Sequence, residues 1–401
     1  MNELSSVALI LLVSLLAGHL VKFLRVPEVT GYILAGIVVG PSVLGWINDQ
    51  NLTGLSILSE IALGLILFSI GSIFQIDRFR RISGSVLRIT VADALLVAAL
   101  ITLGMIALGQ SWELALLLGV VSMETAAAST MMVLRELNAE GEFTETLTGV
   151  IAVNNVLCLS TFLVLTTVLQ MTGHLGEFAA GSVYGLVYLF FWQLFGSAAL
   201  GYLVGLLLAA WATKVAEHGE TLILLIGCVL LCIGLALLLN LSPLVVSLAL
   251  GATVANFSQN RGRLAQVQSR TDPPFYALFF VLAGAHLNLG MLKTLGMVGV
   301  AYVVLRAAGK LLGARLGARG TALPANIRSN IGYAMLAHAG LAIGLVLALA
   351  TQFPEIGERL STIVLAAILL YEIVGPIFAR WTVLRMGESR AREVSGMEVL
   401  D

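Results

Sequence analysis

Seven ionisable side chains fall inside runs of sequence that are otherwise apolar: Glu60, Asp93, Glu124, Arg306, Lys310, His338 and Glu372. In a hydrocarbon surrounding such a group costs at least ~2.5 kcal/mol near the bilayer centre, so each is a functional candidate that must pair or line a polar cavity. Glu124 lies in VVSMETAAAST, where Ser122, Thr125, Ser129 and Thr130 supply hydroxyl oxygens able to help ligate a dehydrated cation. A carboxylate there would serve equally as a buried partner for Lys310. Lys310, in LRAAGKLLGARLG, has small neighbours along which its ammonium cannot easily snorkel, so it needs a carboxylate or must give up its proton. Asn154 and Asn155 are adjacent amides in the apolar stretch IAVNNVLCL; they donate and accept hydrogen bonds but carry no proton at physiological pH. His338 could titrate, yet a lone His among small residues also fits a packing role, as do His19 and His286 more strongly. Asp93 lies one to two helical turns from Arg88 and is expected to pair with it, while Glu60 and Glu372 fit helix-packing hydrogen bonds or structural ion pairs. Asp93, His338, Glu372, Ser122 and Ser129 are therefore secondary candidates.

The elements that must position these groups follow from composition. Of 401 residues, 59% are hydrophobic and 11% are charged, against about 25% charged in a soluble domain, and the mean hydropathy is +0.99. A soluble enzyme is excluded, and a collagen-like chain too, because the 41 glycines are scattered without a Gly-X-Y period. The near-balance of 22 basic and 23 acidic residues gives no basic field for nucleic acid. Cys158, Cys228 and Cys232 sit in apolar stretches and read as packing residues, not as a disulfide framework or metal site.

A membrane-spanning helix needs about 20 mainly apolar residues. The runs predict thirteen, near 4–24, 28–47, 53–75, 84–109, 111–137, 141–171, 180–213, 219–239, 242–257, 264–286, 291–318, 323–351 and 356–386. Lys22 and Arg25 follow the first run instead of preceding it, so it reads as a span and not a leader. With this count, eighteen of the 22 Lys and Arg fall on one side, Lys293 and Arg359 on the other, and Arg306 and Lys310 within a span. By the preference of basic residues for the cytoplasmic face, the N-terminus is outside and the C-terminus inside.

Pro27 opens PEVTGYILAGIVVG and Pro243 opens PLVVSLALGATVAN, with Gly31 matching Ser247 and Ala35 matching Gly251 at an offset of 216 residues. The offset pairs spans 1–6 with 8–13 and inverts the second set in the membrane, the signature of a secondary transporter with a midplane site. It carries Asp93 to position 309, beside Lys310, and Asn154 to position 370, near Glu372. The expected organisation is an all-α polytopic membrane protein of two six-helix inverted repeats, residues 1–171 and 219–386. A linker helix lies within 172–218, and 387–401 form a short cytoplasmic tail.

The chain resembles the monovalent cation/proton antiporters, in the branch of Kef-type potassium transporters and NapA-type sodium/proton exchangers. The segments carrying the resemblance are GYILAGIVVGPSVLG, LSEIALGLILFSIG, LSPLVVSLALGATVANF, FYALFFVLAGAHLNLGML, AGKLLGARLGAR and LLYEIVGPIFARW. The resemblance implies exchange of Na⁺ or K⁺ for protons by alternating access, a homodimer and a bacterial inner membrane. It also makes Lys310 the charge partner of the ion site and places a break in the fifth span, although TAAAS alone reads as continuous helix. Glycines around His338 make the twelfth span the more plausible break on composition. The sequence departs from the family where it matters most: Asn154 and Asn155 stand where the family has Asp-Asp or Asn-Asp.

Two readings stay open. In one, Glu124 replaces the missing aspartate and, with Thr125, Asn154 and Asn155 as neutral ligands, is alternately protonated or cation-bound. In the other, proton coupling is lost and the protein moves another solute, leaks ions or acts as a sensor. HExxH, GxSxG and paired cavity aspartates are absent, as are paired histidines for haem, so neither an enzyme nor a resident cofactor is expected. The tail from Arg385 to Asp401 is too short for a folded nucleotide-binding regulator.

Overall fold

The computed structural model describes residues 2–23, 26–48, 52, 54–73, 76–172, 191–215, 217–286, 296–338 and 340–390. Every regular element among them is helical. In order these are α1 (Glu3–Phe23), α2 (Glu28–Val39), α3 (Ser56–Ile73), α4 (Ile76–Ala107), α5 (Trp112–Ser122), α6 (Ala127–Glu136) and α7 (Glu142–Met171). After a π-helical turn at Trp192–Gly196 come α8 (Ser197–Trp211), α9 (His218–Leu238), α10 (Pro243–Phe257), α11 (Arg261–His286) and α12 (Gly296–Ala318). The chain ends in α13 (Ala325–Ala334), α14 (Gly340–Gln352) and α15 (Pro354–Met386). Eight described segments are long and apolar enough to cross a membrane; α2, α10 and residues 57–69 are shorter apolar helices. The start of the predicted linker span and most of the tail lie outside the described residues, as does Lys293.

Local chemistry sets several helix ends. The Ser111 hydroxyl accepts from the amide of Leu114 to start α5, and Ser242, followed by Pro243 at the first helical position, accepts from Val245 to start α10. Gly387, with φ of 70°, closes α15 in the left-handed conformation. The end of α2 differs from expectation. Helix α2 stops at Val39, and Gly45 then turns back to donate to the carbonyl of Gly40. Pro273 and Pro274 fall inside a continuous α11.

The predicted spans 111–137 and 323–351 are each split. Residues 123–126 separate α5 from α6, and residues 335–338 are non-helical between α13 and α14. The two breaks meet, since the amide of Ala126 donates to the carbonyl of Ala337 at 3.1 Å.

Backbone contact through small residues fixes the helices around this crossing. Gly309, Gly313 and Gly317 recur every four residues on one face of α12, and a Cβ on each would meet the backbone of α4 at Val97, Asp93 and Arg88–Ile89. Elsewhere Gly36 of α2 lies against the backbone of Val281 and Ala285 of α11, and Gly251 of α10 lies against Phe68 and Ser72 of α3. The larger buried apolar cluster surrounds the crossing, and a smaller one joins α3, α8, α9 and α10. At the far end of α6, Arg135 pairs with the buried Asp272 of α11, which also accepts from Ser69 of α3 at 3.5 Å. Its neighbour Glu136 accepts from the amide of Glu28 at 3.0 Å and from Arg380 at 2.9 Å.

Candidate functional site

Each broken span leaves carbonyl groups without the amide four residues on that a continuous helix would provide. Two cations of α12 take them. Arg306 Nε donates to Ser122 O at 3.1 Å, Nη1 to Leu336 O at 2.8 Å, and Nη2 to Glu124 O at 2.6 Å and Ala337 O at 3.3 Å. One guanidinium thus serves both breaks, and its five-donor fork is suited to this where an ammonium is not. Both carbonyl sets belong to the C-terminal ends of half-helices, where the helix dipole favours a positive charge. The guanidinium also lies 4.5 Å from the ring centre of Tyr371.

One turn further along α12, Lys310 Nζ donates to Asp93 Oδ2 at 2.8 Å, Met123 O at 2.5 Å and Thr125 Oγ1 at 2.9 Å. Its three donors are used, and both Lys310 and Asp93 are fully buried. The Gly313 contact holds the Asp93 backbone against α12, which explains why this aspartate reaches the lysine. Asp93 was expected to pair with Arg88. Instead, Arg88 donates to the carbonyl of Gly320 at the end of α12, five residues away along α4.

Asn154 Nδ2 approaches Asp93 Oδ2 at 3.5 Å, while Asp93 Oδ1 and Asn154 Oδ1 are buried with no hydrogen-bond partner. Asn155 Nδ2 donates to Thr125 O at 3.1 Å and to Ile151 O at 2.9 Å, bracing α7 against the first break. The sequence-selected residues Thr125, Asn154, Asn155 and Lys310 therefore come together, with Asp93 as the carboxylate on the lysine.

Glu124 faces the other way. Its Oε2 lies 2.8 Å from His338 Nδ1, and His338 Nε2 lies 3.2 Å from the hydroxyl of Tyr302. All three side chains are buried. The division falls where the helix is broken: Met123 still closes the last turn of α5, Ala126 is extended, and between them the neighbouring side chains part. Thr125 goes to Lys310 and Glu124 to His338.

The remaining candidates take local partners. Ser122 donates its hydroxyl to Gly119 O at 2.6 Å within its own helix, and Ser129 donates to Glu372 Oε1 at 3.1 Å. Glu60 is exposed on α3. Sequence reasoning did not single out Tyr302, and it named Arg306 as a candidate without giving it a partner. Their signal was present: Tyr302, Arg306 and Lys310 recur every four residues, which places them on one helical face.

A family model described as "Sodium/hydrogen exchanger, transmembrane" matches residues 7–385, nearly the whole chain. The chain belongs to the sodium/hydrogen exchanger family. This exchanger-family member is an integral membrane protein. Its fold is shared with the sodium proton antiporter MjNhaP1 of Methanocaldococcus jannaschii at pH 8, with a TM-score of 0.73 and 17% identity over 96% of this chain and 98% of that one. In sequence it is 34% identical over 143 residues to "Iron transporter MagA" of Paramagnetospirillum magneticum, 35% of this chain and 31% of that protein. It is 31% identical over 131 residues to "Na(+)/H(+)-K(+) antiporter GerN" of Bacillus cereus, 33% of each protein. These matches span about a third of the length of the two curated relatives.

Proposed function

We propose that this exchanger-family chain is a secondary transporter that swaps a monovalent cation, Na⁺ or K⁺, for protons by alternating access. The observation that carries the reading is the setting of the Lys310 ammonium among oxygens of Asp93, Met123 and Thr125, beside the unsatisfied Asp93 Oδ1 and Asn154 Oδ1. An ammonium and a dehydrated alkali cation ask for the same thing, a cluster of oxygens around one positive charge. A cation arriving at Asp93 displaces the ammonium and finds carboxylate, amide and hydroxyl oxygens in place. A buried ammonium stripped of its counter-charge is costly, so cation entry expels the lysine's proton. Exchange follows because the empty, charged aspartate is expensive to carry through a low-dielectric barrier. Asp93 then fills the role expected of Glu124, with Asn155 supporting Thr125 and Glu372 and Ser129 packing behind the break.

The finer architecture belongs to the same proposal: thirteen spans in two inverted repeats, 1–171 and 219–386, around a linker within 172–218, with the N-terminus outside and the C-terminal tail in the cytoplasm of a bacterial inner membrane, as a homodimer. Supporting the repeats is the match between the two breaks and between the glycine crossings, Gly36 on α11 and Gly251 on α3. Supporting the orientation is the skew of basic residues to one side.

A second reading, an exchanger fold that has lost proton coupling, is favoured by one observation: the amide of Asn155 is spent on backbone carbonyls where the resembled family places a carboxylate. Proteoliposomes under an imposed pH gradient separate the two. Addition of Na⁺, K⁺ or Li⁺ is expected to drive proton efflux in the wild type and not in Asp93→Asn. Silence of the wild type to all three cations, with exchange appearing in Asn155→Asp, would establish the second reading instead.

A further inference from the structure

We infer that Glu124, His338 and Tyr302 form a second proton-binding site, separate from the cation site at Asp93 and coupled to it, so that cation binding displaces a proton from this triad as well. The inference rests on the proposed cation site, and its ligand is a proton taken from water.

The triad is built so that gaining a proton moves no heavy atom. In the neutral imidazole, Nδ1–H donates to Glu124 Oε2 at 2.8 Å and Nε2 accepts from the Tyr302 hydroxyl at 3.2 Å. This tautomer follows from the partners, since an ionised carboxylate only accepts. A second proton on Nε2 turns that nitrogen into a donor. The tyrosine oxygen can accept as readily as it donates, so only the hydroxyl hydrogen rotates. Both protonation states therefore satisfy every polar atom of His338. A histidine held purely for packing needs one neutral form and one partner; this one has a partner suited to each state at both nitrogens.

The groups around the triad explain the coupling. Arg306 and Lys310 face it from α12, Tyr371 and Glu372 from α15, and Cys158 from α7. Asp93, on α4, reaches the same cluster through Lys310. Glu124 lies between Met123 and Thr125 in the chain, and both of these hold the Lys310 ammonium. Arg306 bonds to the carbonyls of Glu124 and of Ala337, the residue before His338. With Asp93 and Glu124 ionised, Glu372 neutral, and Arg306 and Lys310 charged, formal charge in the crossing balances, and one proton on the triad leaves a net positive charge in a sealed, low-dielectric space. A cation at Asp93 takes the place of the charge on the lysine it deprotonates, so the coupling runs through the break: Met123 O and Thr125 Oγ1 turn from the ammonium to the cation, and Glu124 between them is drawn off His338. By linkage each ligand then lowers the other's affinity by the same factor.

The test counts protons. Cation is added to purified, unbuffered wild type and to His338→Gln in detergent, and proton release per bound cation is read across pH. The wild type is expected to release two at low pH, where the triad is loaded, and one at high pH; His338→Gln is expected to release one throughout. Release of one at every pH by the wild type overturns the inference while leaving the exchange reading intact. Absence of any release overturns the exchange reading itself. For that case the triad has its own readout, ¹⁵N-histidine NMR with the His338 signal identified by its loss in His338→Gln. Conversion of that imidazole between its doubly and singly protonated forms between about pH 5 and 9 supports the site. A single neutral form over that range, unaltered in Tyr302→Phe, overturns it.

Discussion

The amide of Ala126 donates to the carbonyl of Ala337 at 3.1 Å, so the first broken span is bonded directly to the second at the point where both lose their helical ladder. The buried groups Asp93, Glu124, Arg306, Lys310 and His338 are arranged around that bond. Arg306 secures it from one side through four carbonyls, and Lys310 enters beside it with Asp93.

Removal of the guanidinium should therefore be more damaging than its position within a transmembrane helix suggests. Arg306→Ala leaves four buried carbonyls without their donor and is expected to cost ~3–5 kcal/mol. Arg306→Lys, with a point charge in place of a fork, should recover only part of that. Thermal unfolding of the detergent-purified variants measures both, and an Arg306→Ala melting temperature equal to wild type would refute the capping role.

Asp93 and Lys310 should behave as a pair. Asp93→Asn leaves a buried ammonium and Lys310→Met a buried carboxylate, each destabilising by ~3–5 kcal/mol, whereas the double variant is expected to lose markedly less than the sum. The double-mutant cycle is read from the same unfolding curves. Additive losses would mean that the two groups are satisfied independently.

The glycine seam between α12 and α4 makes a geometric prediction. Gly313→Ala places a methyl against the Asp93 backbone and should cost ~1–3 kcal/mol, with exchange falling at least as steeply because the lysine is pushed off its partner. Gly227 of α9 has open space where its Cβ would be. Gly227→Ala should stay within ~1 kcal/mol of wild type, on the stabilising side.

The far end of α6 supplies a fourth test. Asp272→Asn weakens the pair that ties Arg135 to α11 and removes the carboxylate facing Ser69. A cysteine introduced as Ser69→Cys is expected to react severalfold faster with a water-soluble maleimide when Asp272→Asn is also present. Background is low because Cys158, Cys228 and Cys232 are all buried. Equal rates would place the hold on α6 elsewhere, at Glu136.

Lys310 could be singled out from sequence because small neighbours deny its ammonium a route to water, and Asn154, Asn155 and Thr125 because amides and hydroxyls are conspicuous in apolar helices. The membrane class and most helix positions follow from the same run lengths. The partner of Lys310 could not be read that way. Asp93 reaches it because Gly313 lets two backbones touch, a relation between helices more than two hundred residues apart. The break at 123–126 is equally silent locally. Nothing in METAAAS forbids a helix; the ladder is given up because Arg306, Lys310 and Ala337 offer those backbone groups better-placed partners. The second break is foreshadowed by Gly332, Gly340 and Gly344, as composition suggested.

The reciprocal crossings of α2 on α11 and α10 on α3 bear on how such a molecule deforms. Where main chain rests on main chain there are no rotamers to re-sort, so those joints have little compliance and the four helices act as a stiff frame. Compliance is left to the seams made of side chains, among them the one where α6 meets α2, α3 and α11. That seam is held by Arg135 and Glu136, and its strength is set by ion pairing. The stiffness of that seam is therefore tunable by a single charge at either of two adjacent positions, while that of the frame beside it is not.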